Sequence, residues 1–162
     1  MRAVSNTSPI SNLAIIGRLD FLQRRYQRVH IPQQVREELA ALSHRAARQA
    51  IEGALTQHWL VVEKLAEAPA LPAGLSLDRG ETAAILLARQ MNTDVLLIDE
   101  RQGREVARRL GLAVAGVLGE LVYARNAKWI LNVRDEIARL RQDAGFFVDA
   151  EIERFILDQV GE

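Results

Sequence analysis

The chain has 162 residues, 49% hydrophobic and 26% charged, with 21 Lys plus Arg against 21 Asp plus Glu and no cysteine. That length is enough for one domain with a real core. The missing cysteines exclude disulfides, thiolate zinc sites and cysteine nucleophiles, and the zero formal charge sets the chain apart from passive nucleic-acid binders, which are usually basic.

The N-terminal MRAVSNTSP lacks the apolar stretch of a signal peptide, and no apolar run approaches the roughly 20 residues of a membrane span, so a cytoplasmic protein is expected. In chain order, AVS at 3–5 reads as a first strand, and 11–26 as helix broken near Gly17. RVHI at 28–31 is a second strand, after which Pro32 opens a helix from a favoured first-turn position. A helix over 46–57, a short strand at 60–62 and a Pro/Ala/Gly loop over 66–74 follow. Asp78 starts a helix to about Met91. DVLLI at 94–98 is an unbroken apolar strand, as expected where both faces are covered. Helix over 103–110 and strand over 113–116 come next, and from Val117 the chain is all helical. Short apolar runs alternating with helical patterns imply α/β: a three-layer, Rossmann-like domain with a mostly parallel sheet. We expect one domain over 1–162, an α/β core at 1–126 with C-terminal helices at 127–162.

Acidic residues recur where strands end or helices begin: Glu37 and Glu38, Glu81, then Asp99 and Glu100. The matching position after the first strand holds a neutral amide, Asn6. In open α/β sheets ligands gather beyond the carboxyl ends of the strands. Carboxylates brought together there repel unless a cation neutralises them, and hard divalent cations take oxygen ligands. Each residue also has a plain reading. Glu81 stands three residues after Asp78, the spacing of a capping box. Glu37 and Glu38 fit a solvated helix face, Asp99 and Glu100 fit a cap and a helix dipole, and Asn6, Thr7 and Ser8 before Pro9 fit turn chemistry. Arg101, Arg104 and Arg108 place a basic helix face beside the acids, suited to an RNA backbone or merely to solvent. His30, His44 and His58 share no ligand spacing and read as surface or strand-edge residues. Trp59 and Trp129 read as isolated, with no stacking platform for bases. At the C-terminus, Ile152, Phe155, Ile156 and Gln159 fall on one helical face, with Phe146 and Phe147 just before it, a face expected to dock on the core or on a second copy.

The segments VSNTSPISNLAIIGRLDFL, IPQQVREEL, LDRGETAAILLA and DVLLIDERQGREVARRLGLAVAGVLGELVYA, in that order, resemble a PIN-domain protein of the DUF3368 branch over about residues 3–126, and the C-terminal helices resemble it too. The resemblance implies a Mg²⁺- or Mn²⁺-dependent ribonuclease ancestry. It also implies kinship with VapC-like toxins held by a small antitoxin, RNA as partner, and a homodimer. By motif, the PIN metal-binding acids fall on Asn6, Glu38, Glu81 and the Asp99–Glu100 pair, with Glu38, Glu81 and Asp99 as catalytic acids and Ser8 joining through its hydroxyl. Ser8, Arg101, Arg104 and Arg108 would face nucleic acid. Asn6 stands where the pattern has Asp, so weak metal binding and slow or silent cleavage are expected. The alternative is a PIN-like module that binds nucleic acid or protein without cutting. A receiver-type phosphoacceptor would need an acidic pair after the first strand, and a dinucleotide-binding domain would need a Gly-x-Gly-x-x-Gly; this chain has neither.

Overall fold

The computed structural model describes residues 1–66, 71 and 75–162. The loop expected over 66–74 lies almost wholly outside the described residues. The elements in order are β1 (Ala3–Ser5), α1 (Thr7–Ile15), α2 (Asp20–Tyr26), β2 (Val29–Pro32), α3 (Gln33–Ala40), α4 (Arg45–Thr56), β3 (Leu60–Glu63), α5 (Arg79–Gln90), β4 (Val95–Leu97), α6 (Arg101–Arg109), β5 (Val114–Ala115), α7 (Val117–Asn126), α8 (Val133–Ala144) and α9 (Ala150–Gln159).

The strands form one sheet in the order β3-β2-β1-β4-β5, parallel at every pairing rather than merely mostly so. Val4 lies beside His30 on one side and Leu96 on the other, and Ser5 beside Leu97. β1 and β4 are central and buried along their whole length, which is why β4 is an unbroken apolar run; in β1, Ala3 and Val4 are followed by a buried Ser5, whose hydroxyl donates to Asn6 O at 2.8 Å. The order runs outward in one direction from β1 to β3 and in the other from β4 to β5. The topological switch point therefore falls between β1 and β4, where a crevice opens beyond the carboxyl ends.

Helices cover both faces. α5 packs on β1, β2 and β4 and against α6. α1, α4, α7 and α8 form the opposite layer, with α1 touching α4, α7 and α8, while α3 bridges to α5. Arg18 holds Glu136 of α8 in a two-pronged bond at 3.1 and 2.8 Å, tying the α1–α2 corner to the C-terminal helices. On α7, buried Glu120 accepts from Tyr26 at 2.6 Å and Arg25 at 3.0 Å. Burial pushes the Glu120 carboxyl above its usual range and the Tyr26 phenol with it.

Several expectations change in detail. α1 begins at Thr7, not near residue 11, because Pro9 sits in the first turn, where its missing N–H has no helical partner to lose. The break near Gly17 is real: Gly17 has φ 72°, a left-handed turn that ends α1. Pro32 closes β2 with extended backbone (φ −77°, ψ 163°) and precedes α3 rather than lying in its first turn. His30 is not at a strand edge. It lies in β2 between β1 and β3, and its Nδ1 is 2.8 Å from Glu63 Oε1 on the neighbouring strand. His44 caps α4, accepting from the Ala47 N–H at 3.0 Å. Trp129 is not isolated: Arg24 stacks 4.0 Å over its ring, and Tyr123 and Phe21 lie 5.5 and 5.6 Å away. On α9 the face that docks is Ile156 and Leu157, while Ile152, Phe155 and Phe147 stay exposed. Of the face read in the sequence, Ile156 packs on the core within the single chain. Among the described residues, no helix is long and apolar enough to cross a membrane.

Candidate functional site

The switch point collects the amide and the carboxylates in one neighbourhood. Asn6 follows β1 directly. Its N–H donates to Leu97 O at 2.9 Å, so the chain is still held against β4 as it leaves the sheet. Asn6 is only 3% exposed and occupies the N-cap position of α1, yet its side chain makes no cap bond. Its Nδ2 instead donates to Glu100 Oε2 at 3.2 Å. Its Oδ1 is buried and has no hydrogen-bond partner among the described residues. A buried, unpartnered amide oxygen is costly unless something outside the protein occupies it.

Glu38 sits on α3, exposed at the rim, and accepts a hydrogen bond from the Thr7 hydroxyl. Its carboxylate lies against Gly80, so close that a β-carbon there would collide with it. Glu81, one residue on, belongs to the first turn of α5. Asp78 caps that helix by accepting from the Glu81 N–H at 2.7 Å, so half of the capping-box reading stands. The Glu81 side chain itself is buried at 7% exposure and lies beside Gly103 of α6, where a β-carbon would stand 3.3 Å from Oε2. Burial first, then Asp78, Glu100 and Glu38, push its carboxyl up to about 7. Glu38, Glu81 and Glu100 therefore share one field.

Asp99 and Glu100 divide. Glu100 turns toward Asn6 and Glu81. Asp99 turns toward the helices: Oδ1 accepts from the Val117 N–H at 2.8 Å and Oδ2 from the Ser8 hydroxyl at 3.0 Å. It caps α7, not α6. Burial pushes its carboxyl up to about 6, opposed by those two donors. Gly116 makes room for it, since a β-carbon there would stand 2.6 Å from Asp99 Oδ1 and 2.8 Å from Arg104 Nη1. Ser8 in turn receives Asn12 Nδ2 at 3.2 Å.

Of the residues assigned to nucleic acid, two are engaged internally: Ser8 with Asp99, and Arg104 with Ile98 O at 3.0 Å. Arg101 is exposed and pairs with Glu105 at 3.3 Å, and Arg108 is exposed. Among the described residues, no group of three or more Asp, Glu or His side chains is placed so that it could hold a metal ion. Sequence reasoning missed Thr7 as the partner of Glu38, and it missed the three glycines that admit the carboxylates. Gly80 and Gly103 stand in the first turns of helices, where glycine costs stability relative to alanine; that misfit was the available signal.

A parallel five-stranded sheet with acidic side chains gathered around its switch point is the framework of a PIN domain, a nuclease superfamily. The family model DUF3368, described as a PIN domain, matches residues 2–162, and the chain belongs to that family. Among solved structures, the chain is similar to a PilT N-terminus domain protein from the hyperthermophilic archaeon Sulfolobus solfataricus P2. The TM-score is 0.56 at 20% identity, over 76% of this chain and 93% of that one, a likeness of fold. A domain of a functionally unknown protein from Methanocaldococcus jannaschii aligns at 20% identity over 71% of this chain and 89% of that chain, with a TM-score of 0.44. No protein of curated function matches the chain.

Proposed function

We propose that this chain is a PIN-type endoribonuclease that depends on Mg²⁺ or Mn²⁺, with metal binding weakened by Asn6. The observation that carries the reading is Asn6 Oδ1, a buried acceptor without a partner, beside Glu100 at the switch point. The donors nearby are all oxygens: Asn6 Oδ1 and the carboxylates of Glu38, Glu81 and Glu100, with Asp99 behind them. By donor type, though not yet by placement, that set suits a hard divalent cation and not a soft one. When bound, such an ion supplies Lewis acidity and an activated water for phosphodiester hydrolysis. The chain's own residues set the geometry. Thr7 orients Glu38, Asn6 orients Glu100, and Asp78 anchors the turn that carries Glu81. Asp99 fixes α1 and α7 on either side through Ser8 and Val117. Exposed Arg101 and Arg108 stand on the adjoining helix to meet an RNA backbone.

A second reading, a PIN-like module that binds without cutting, is favoured by one observation: the position after β1 brings an amide and no charge. Titration with Mn²⁺ and an RNA cleavage assay separate the two. Asn6→Asp is expected to strengthen Mn²⁺ binding by about 1–3 kcal/mol, the scale of a charge-assisted contact in a partly buried site. Cleavage should rise with it, and Glu81→Gln or Asp99→Ala in the same background should abolish the gain. Unchanged metal affinity and cleavage in a folded Asn6→Asp protein would sink the account in which Asn6 is a missing anionic ligand, and no Mn²⁺-dependent cleavage by either protein would sink the nuclease reading. Brisk cleavage by the unaltered chain would show Asn6 to be a competent ligand.

A further inference from the structure

We infer that Asn6 is a positioning residue that clasps Glu100 through its amide N–H, so that the acidic crevice of this chain stays assembled without a cation. Glu38, Glu81 and Glu100 meet in one field, and the arginines nearest them in the chain are committed elsewhere. Arg79 pairs with Glu37, Arg101 with Glu105, and Arg104 donates to Ile98 O. The donors that do face these carboxylates are neutral and come from the two residues after β1: the Asn6 amide on Glu100 and the Thr7 hydroxyl on Glu38.

An aspartate at position 6 has no N–H to offer. It would set a carboxylate oxygen about where Nδ2 now stands, 3.2 Å from Glu100 Oε2, in a pocket where the residue is 3% exposed. Two ionised carboxylates at that separation repel strongly when water is excluded, and a cation between them would be the ordinary remedy. The amide removes the need for one. It gives Glu100 a hydrogen bond and leaves Oδ1 unpartnered and buried, so the same side chain orders the metal-free crevice and still presents an acceptor. Asn6 thus exchanges affinity for a cation against independence from it.

The inference rests on the proposed metal site only in its cation arm. The test is thermal unfolding of the full chain at pH 8, with chelator and with Mn²⁺, for the unaltered protein, Asn6→Asp, and the swap Asn6→Asp/Glu100→Gln. In chelator Asn6→Asp is expected to melt lower by about 5 °C or more, a modest free-energy loss for a domain of this size. The swap should regain most of that loss, because amide and carboxylate merely change sides. Mn²⁺ should then raise the Asn6→Asp midpoint by more than it raises that of the unaltered chain. Equal melting of Asn6→Asp and the unaltered chain in chelator overturns the clasp. So does a swap that melts no higher than Asn6→Asp, including the case in which both fail to fold. If the swap rescues in chelator but Mn²⁺ moves no midpoint, the clasp stands and the metal reading falls.

Discussion

Glu81 is 7% exposed and faces Asp78, Glu100 and Glu38, so its carboxyl holds its proton up to about 7 in the folded chain. The unfolded chain releases that proton near the ordinary glutamate value. Between the two, the folded state binds more protons, so stability falls as pH rises; the contribution is fully present below the ordinary value and gone above about 7. Asp99, raised to about 6, and buried Glu120 act in the same direction. The metal-free protein should therefore melt higher at pH 5.5 than at pH 8. Glu81→Gln should flatten part of that slope, because the amide stays neutral throughout. A pH slope that Glu81→Gln leaves unchanged in chelator would overturn this role of Glu81.

Glycine separates fit from freedom at the level of the elements. Gly53 stands in the middle of α4, and a β-carbon there meets nothing within 4 Å. Gly53→Ala should stabilise the protein by about 0.5–1 kcal/mol, the ordinary gain for a helix interior. Gly103 stands in the first turn of α6, where a β-carbon would come 2.5 Å from Ile98 Cδ1, itself fully buried, and 3.3 Å from Glu81 Oε2. There the sign reverses, and Gly103→Ala should cost roughly 1–3 kcal/mol, as overpacking does. Urea unfolding of both variants checks the contrast, and equal effects would refute the cradle. β4 was readable because a parallel strand at the centre of a sheet is apolar on both faces, as VLLI at 95–98 is. The start of α1 was not, because Pro9 looks like a breaker until its place in the first turn is known. The acidic residues were readable by their order along the chain. Which of Asp99 and Glu100 turns inward was not: adjacent residues leaving a strand look to opposite sides, and only the packing of α7 decides between them. The glycine cradles were hidden for a similar reason, since the side chains that fill them come from other elements.

At the scale of the molecule, the C-terminal helices bear on the site from behind. α8 packs on α1 and α7, and α1 is the helix that Asn6, Thr7 and Ser8 open. Glu136 of α8, 5% exposed, binds Arg18 at the end of that arm by two hydrogen bonds, with Arg139 3.5 Å away. The chain then returns through α9, and the Glu162 side chain caps α8, accepting from the N–H groups of Val133 at 2.6 Å and Arg134 at 3.0 Å. Connections so distributed leave no weak seam between residues 126 and 127. The sequence pattern places a core-and-extension boundary there, but the expected behaviour is a single cooperative transition in which α8 amides exchange as slowly as those of β1 and β4. Glu136→Ala should lower that one transition, by about 3 kcal/mol if Arg18 is left partly buried without its partner, and by less in so far as water reaches the guanidinium. Hydrogen exchange measured along the chain decides the matter. Early, independent exchange of residues 133–159 while β1 and β4 stay protected would make the C-terminal helices a separable unit, and Glu136→Ala would then lower the C-terminal transition alone.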